Sequence, residues 1–255
     1  MIGVISRRLL LQAGLLSASR GFANEPLTFV LVPGAWHGGW AFSRVKAVLE
    51  KAGHHVDAVT LPGLAEKKAE LDDSIHLSTH VEHVVSRVKA ASGQVVLVGH
   101  SYAGVVVMPA AAAVPEKLAR LVLLDAFIVE PGQSMLSLMK ASYSESWRTK
   151  ARAVSKGLWV PPMLDAKAMG VSDAKDAKWV DSQLTPHPMT TVEEPAQFDA
   201  KALEPISKRY VWAAKYAGFK RYFEKAKTLG WETRQVDAGH DAMVVAPDGT
   251  AAAIS

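Results

Sequence analysis

Gln94-Val95-Val96-Leu97-Val98-Gly99-His100-Ser101-Tyr102-Ala103-Gly104 is the stretch on which the fold turns. Its first five residues form an unbroken aliphatic run with three β-branched valines, the pattern of a strand buried on both faces of a parallel sheet. From Ala103 to Ala113 the residues are small and apolar and read as a helix. Gly99 and Gly104 permit a tight bend and a close approach of helix to strand. Ser101 therefore sits on a sharp strand-to-helix turn with its hydroxyl directed outward. Pro109 lies inside the expected helix, where it removes one N–H and should bend it.

Working outward, Leu27 to Val32 and Val56 to Leu61 read as further strands, separated by a helix over Phe42 to Ala52 that Gly53 closes. Downstream, Leu118 to Leu124, Lys208 to Ala214 and Glu232 to Val236 complete the set. Strands alternating with helices specify a mostly parallel sheet covered on both faces. With 255 residues, 49% hydrophobic and 21% charged, the chain suits one domain with a full-sized core. Residues 130–205, punctuated by Pro131, Pro161, Pro162, Pro186 and Pro188, are too long for a plain connection and read as a small helical cap inserted before the penultimate strand.

Residues 1–23 carry Arg7-Arg8, an apolar stretch from Leu9 to Ala18 and the small-residue ending Gly21-Phe22-Ala23. This order is that of an export signal, and Ser6-Arg7-Arg8-Leu9-Leu10 resembles the twin-arginine type, which implies periplasmic export. The apolar part is too short for a permanent membrane anchor. Of the formal net charge of +4, three units come from Arg7, Arg8 and Arg20. The remainder, 24–255, is nearly neutral, which argues against a nucleic-acid partner. Absence of cysteine excludes disulfides, thiol catalysis and cysteine metal sites.

Two segments carry a family resemblance. Gly99-His100-Ser101-Tyr102-Ala103 resembles the nucleophile elbow of the α/β-hydrolases, with Ala103 where the usual Gly-x-Ser-x-Gly has its last glycine. Val30-Leu31-Val32-Pro33-Gly34-Ala35-Trp36-His37-Gly38-Gly39-Trp40 resembles the opening of the bacterial esterases, plant methylesterases and hydroxynitrile lyases of that fold, with Pro33-Gly34 in place of the usual His-Gly. The resemblance implies a serine hydrolase acting on small or medium carboxylic esters without a cofactor. Ser101 would be the nucleophile and His240, in Asp237-Ala238-Gly239-His240-Asp241, the general base. The backbone N–H groups of Ala35 and Tyr102 would form the oxyanion hole. Plant relatives carry the triad acid after the strand that here ends near Ala214, yet no carboxylate follows until Glu224. Some branches of the fold take the acid from the end of the preceding strand, so the resemblance implies Asp125, at the end of Leu118 to Leu124, in that role, with Glu130 in reserve.

Other readings bear on the same residues. A hydroxynitrile lyase of this branch needs a lysine close after the histidine, where Asp241, Ala242 and Met243 stand. A non-catalytic ligand-binding protein on this fold is left open by the altered Ala103 and Pro33. A haloalkane dehalogenase is excluded, because its nucleophile is a carboxylate. His76, His80 and His83 share a helical spacing that suits metal ligation, but no carboxylate or cysteine completes the set, so they read as ordinary helix residues with Ser78 or Thr79 as cap. Leu184-Thr185-Pro186-His187-Pro188 resembles a recurrent cap segment of the bacterial esterases; His187 there reads first as a structural residue, with contact to substrate as the alternative. Oligomeric state is not legible.

Overall fold

The computed structural model describes residues 26–255; residues 1–23, where an export signal is expected, lie outside the described residues. In chain order the elements are β1 (Thr28–Val32), α1 (Ser43–Lys51), β2 (His55–Ala58), α2 (Leu77–Ala90), β3 (Val95–His100), α3 (Gly104–Ala113), β4 (Leu118–Leu124), α4 (Ala141–Ser155), β5 (Trp159–Val160), α5 (Ala174–Gln183), β6 (His187–Pro188), α6 (Met189–Glu193), β7 (Lys208–Ala213), α7 (Lys220–Thr228), β8 (Glu232–Val236), α8 (Ala242–Val245) and α9 (Pro247–Ile254). Six strands pair in parallel in the order β2-β1-β3-β4-β7-β8. β5 and β6 form a separate antiparallel pair.

Alternate residues of the central strands serve opposite faces. Val30, Val32, Leu97, Leu121, Leu123 and Tyr210 pack with residues of α2, α3 and α7. Phe29, Leu31, Val96, Val98, Val122 and Val211 pack with α1 and α9. This double burial explains the unbroken apolar runs in the sequence. Because the chain steps outward from β1 to β2 and returns to β3, the loops leaving β1 and β3 diverge. Their crevice at the carboxyl ends of the strands is where this kind of sheet accepts ligands.

β3 runs two residues beyond the expected Val98, so strand geometry continues up to His100. Ser101 then takes φ 55° and starts a single 3-10 turn into α3. That left-handed backbone is strained for a residue with a side chain. Ala103 is fully buried and the turn accommodates its methyl. The close approach falls one residue later, at Gly104, where an added Cβ would stand 2.1 Å from the Phe127 carbonyl oxygen. α3 continues through Pro109 to Ala113, so the missing N–H forfeits one ladder bond without ending the element.

α2 differs from expectation at its start. It begins at Leu77, with His76 as N-cap and Thr79 Oγ1 accepting the His76 N–H at 3.1 Å. Glu194 Oε2, at the end of α6, accepts the N–H groups of Leu77 (2.6 Å) and Ser78 (3.3 Å). Thr79 thus serves in the cap as expected, and a remote carboxylate satisfies two further N–H groups with a charge that suits the helix dipole. On the other side, Arg44 of α1 forms a bidentate pair with Asp176 of α5 (2.7 and 2.6 Å), tying the 130–205 segment to the sheet layer. No helix among the described residues is long and apolar enough to cross a membrane.

Gly104→Ala places a methyl against backbone that cannot give way. We expect a loss of about 1–3 kcal/mol in unfolding free energy by urea denaturation, a cost typical of overpacking.

Candidate active site

Parallel register sets the first two positions. His100 pairs with Leu124 across β3 and β4, so Ser101 and Asp125 leave adjacent strands at the same level. Both take left-handed backbone, with φ 55° and 43°. Two bonds hold the ends together: Asp125 N–H donates to Val211 O (2.7 Å) and Phe127 N–H to Ser101 O (3.2 Å). The Tyr210 hydroxyl also accepts the Ala126 N–H at 3.0 Å and donates to the Ala126 carbonyl at 2.8 Å.

His240, four residues beyond β8, closes the set. Its Nδ1 lies 2.6 Å from Asp125 Oδ2 and its Nε2 2.9 Å from Ser101 Oγ. Asp125 is fully buried and its other oxygen accepts the Ala213 N–H at 3.3 Å. Burial pushes the Asp125 carboxyl up from the ordinary range, against the opposing pull of its hydrogen bond to His240. Glu130, the reserve acid, is exposed and bonded to Lys225 Nζ at 2.7 Å, away from the imidazole. The loop after β7, which lacks the acid of the plant pattern, contributes aromatic surface instead. The Phe219 ring lies parallel to His240 at 5.1 Å, and the Tyr216 ring meets it tilted by 31° at 4.7 Å.

Ala35 follows Gly34, whose Cα passes so near the elbow that an added Cβ would meet Ser101 Cβ at 2.8 Å. Among the described residues, the N–H groups of Ala35 and Tyr102 donate to no protein acceptor. Both residues line a cavity of about 370 Å³, together with Ser101 and His240. Phe127, Phe219 and Tyr222 and, from the 130–205 segment, Met135, Met139, Tyr143, Trp147 and Leu164 supply its apolar wall. Its lining carries Lys140 and Arg221 but neither aspartate nor glutamate.

The structure places His76, His80, His83 and His187 outside the cavity, while His37 and His100 line it with His240. His80 is buried and hydrogen-bonded through Nδ1 to the Tyr102 hydroxyl and through Nε2 to Pro62 O, both at 2.9 Å; burial holds its imidazole down at about 4. His76 precedes the helix, so the three histidines share no ligand site, and no cluster of metal-binding side chains occurs among the described residues. His187 does not line the cavity. Its Nδ1 accepts the Trp36 N–H at 3.4 Å and its Nε2 pairs with Thr191 Oγ1 at 2.9 Å, while Thr185 N–H donates to Trp36 O at 3.1 Å. The segment thus braces Trp36, which has φ 68°, directly after Ala35.

A family model described as the alpha/beta hydrolase family matches residues 29–253. The chain belongs to the alpha/beta hydrolase family. Within it, the chain is 32% identical over 232 residues to the carbendazim hydrolyzing esterase of Nocardioides sp. (strain SG-4G), covering 86% of this chain and 95% of that protein. It is 34% identical over 131 residues to methylesterase 7 of Arabidopsis thaliana, covering 49% of this chain and 50% of that one. Among solved structures, an extracellular alpha/beta-hydrolase from a Paenibacillus species superposes with a TM-score of 0.79 at 22% identity, over 90% of this chain and 98% of the other. As in that family, the site lies on the loops at the carboxyl ends of the strands.

Two residues beside the site escaped the sequence reading: His37 and Asp241, a buried pair 3.3 Å apart. The one signal was adjacency, since Asp241 follows His240 and His37 follows Ala35-Trp36.

His187→Ala removes the acceptor of the Trp36 N–H inside the protein and leaves a void. We expect a loss of about 1–3 kcal/mol of stability, checked by urea denaturation.

Proposed function

We propose that the protein is a serine esterase that cleaves small or medium carboxylic esters through an acyl-enzyme. The observation that carries this reading is the His240 imidazole, set between Asp125 at 2.6 Å and Ser101 at 2.9 Å on the floor of an apolar cavity. Similarity to proteins named as esterases supports the same reaction class.

In this mechanism the carbonyl carbon of the ester lies over Ser101 Oγ. His240 Nε2 takes the serine proton as the oxygen attacks, and then gives it to the departing alcohol. Asp125 holds Nδ1 protonated, which leaves Nε2 free to accept, and stabilises the imidazolium while it lasts. Charge builds on the carbonyl oxygen, and the unpaired N–H groups of Ala35 and Tyr102 receive it. Fixed donors of this kind are commonly worth about 3 kcal/mol each at the transition state. Water activated by the same imidazole releases the acid. The aromatic and methionine lining favours an apolar body on the substrate, and the 130–205 segment serves as the cap that closes over it. The order of basic, apolar and small residues in 1–23 supports export to the periplasm.

Hydrolysis of a short p-nitrophenyl ester series tests the reading. Wild type should turn over and be inactivated by a serine-directed fluorophosphonate, while Ser101→Ala should neither turn over nor be labelled. A wild type that stays unlabelled and inactive overturns it. Asp125→Asn should lower kcat by roughly a thousandfold or more, as loss of the orienting carboxylate does in such triads. Glu130→Gln should leave kcat within about twofold, as expected of an exposed surface charge.

A further inference from the structure

Beside the loop that carries Ala35 lie an imidazole and a carboxylate for which the reaction above has no use. His37 Nε2 stands 3.3 Å from Asp241 Oδ2, and His37 Nδ1 stands 2.8 Å from the Ala35 carbonyl oxygen. Both side chains are shut off from solvent. A carbonyl oxygen can only accept a hydrogen bond, and so can an ionised carboxylate. Both ring nitrogens of His37 must therefore donate, which only the doubly protonated imidazolium does. His240 is built differently: Nδ1 faces a carboxylate, but Nε2 faces a hydroxyl that can give its own proton. A neutral ring satisfies His240, whereas His37 needs the charge.

Asp241 requires that charge as well. Its Oδ1 has no hydrogen-bond partner, so among the described residues the His37 ring is the one side-chain donor to this buried carboxylate. An unpaired buried carboxylate is costly. His37 also grips the peptides of the loop. Its backbone N–H donates to Gly34 O at 3.3 Å, the far end of the peptide unit whose N–H belongs to Ala35. Its ring takes the next carbonyl, that of Ala35. Asp241 is anchored in turn by its N–H on Met169 O at 3.1 Å, and it adjoins His240 in the chain.

We propose, resting on the serine-esterase reading, that His37 and Asp241 are positioning residues for that reaction. Asp241 keeps His37 as a buried imidazolium, and the imidazolium aims the Ala35 N–H at the oxyanion with its positive side toward the loop.

The balance of charges supports this. Burial alone would discharge both groups, yet their mutual attraction prevails, raising His37 above the ordinary imidazole value and holding Asp241 below the ordinary carboxylate value. The other titratable groups facing the pair are His100 from the end of β3, His187 from the 130–205 segment, Tyr216 from the loop after β7, His240, and Asp125 beyond it. Burial keeps His100 and His187 well below the ordinary value, so neither brings a competing positive charge at neutral pH. A raised imidazole keeps its proton below its folded value and loses it as pH climbs through that value. The aiming effect is therefore complete near neutrality and fades on the alkaline side.

The experiment combines imidazole ¹H–¹⁵N spectra of histidine-labelled protein with pH profiles for p-nitrophenyl acetate hydrolysis. His37, assigned from its absence in His37→Gln, should carry protons on both nitrogens near pH 7 and lose one on the alkaline side, in step with a fall in kcat. In Asp241→Asn a neutral ring can still bond to Ala35 O and accept from the new amide, so the fold has a route to survive. There His37 should be neutral near pH 7, and kcat should be down about tenfold, with KM within about twofold and the alkaline fall gone. His37→Gln should show the same flat profile, which provides the test if Asp241→Asn fails to fold. A neutral His37 in the wild type, or variants that lower the melting temperature while keeping the wild-type kcat and alkaline fall, would overturn the proposal. The spectra read His37 independently of turnover. An imidazolium beside a Ser101 that takes no fluorophosphonate would defeat the esterase reading, and the positioning role with it, while leaving the ion pair.

Discussion

The level pairing of His100 with Leu124 across two parallel strands is the constraint on which the site depends. It delivers Ser101 and Asp125 side by side at the same edge of the sheet, each on the first residue after its strand. Each takes a left-handed backbone turn that costs on the order of 1 kcal/mol or more for a residue with a side chain. That strain persists because the surroundings over-determine it. Phe127 N–H holds Ser101 O, Val211 O holds the Asp125 N–H, and α3 presses its first glycine onto the Phe127 carbonyl. The core residues beneath, Val96, Val98, Val122 and Leu124, are buried together, so the two strand ends cannot shift independently.

Around that edge, three separate loops are drawn together by side chains of quite different character. Gly34 brings the β1 loop within contact of the elbow through the absence of a side chain. Phe219 supports the His240 ring by a parallel contact and Tyr216 by a tilted one. The 130–205 segment roofs the cavity with methionine and aromatic side chains, is pinned to α1 by Arg44 and Asp176, and braces Trp36 from Thr185 and His187. Ser101 stays half-buried at the base of this apolar pocket.

Much of this was legible in the chain. The six sheet strands, the elbow at Ser101, the histidine loop and the length of the insertion all follow from local patterns: apolar runs, punctuating glycine and proline, and short connections. The vacancy after β7 pointed to Asp125, whose carboxylate meets His240. Other features depended on partners far away in sequence. Ser78 or Thr79 was expected to cap α2; Thr79 does accept the His76 N–H, while the next two N–H groups go to Glu194, over a hundred residues downstream. His187 was read as a structural residue of the cap segment, and its partner, the main chain of Trp36, lies far off in sequence.

By itself, the sequence determined which residues are apolar, where the backbone turns, and which side chains of a nucleophilic type stand at strand ends, because these are properties of neighbours along the chain. Only the tertiary structure decided which acid meets the histidine, which cap serves which helix, and that His37 and Asp241 share a buried bond. Asp125 and Glu130 are five residues apart and chemically alike, and only the register of β3 against β4 turns one inward to His240 and the other outward to Lys225. Hydrogen bonds and ion pairs act over a few ångströms of space. When 204 residues of chain separate the partners, as they do His37 and Asp241, no local pattern carries the information.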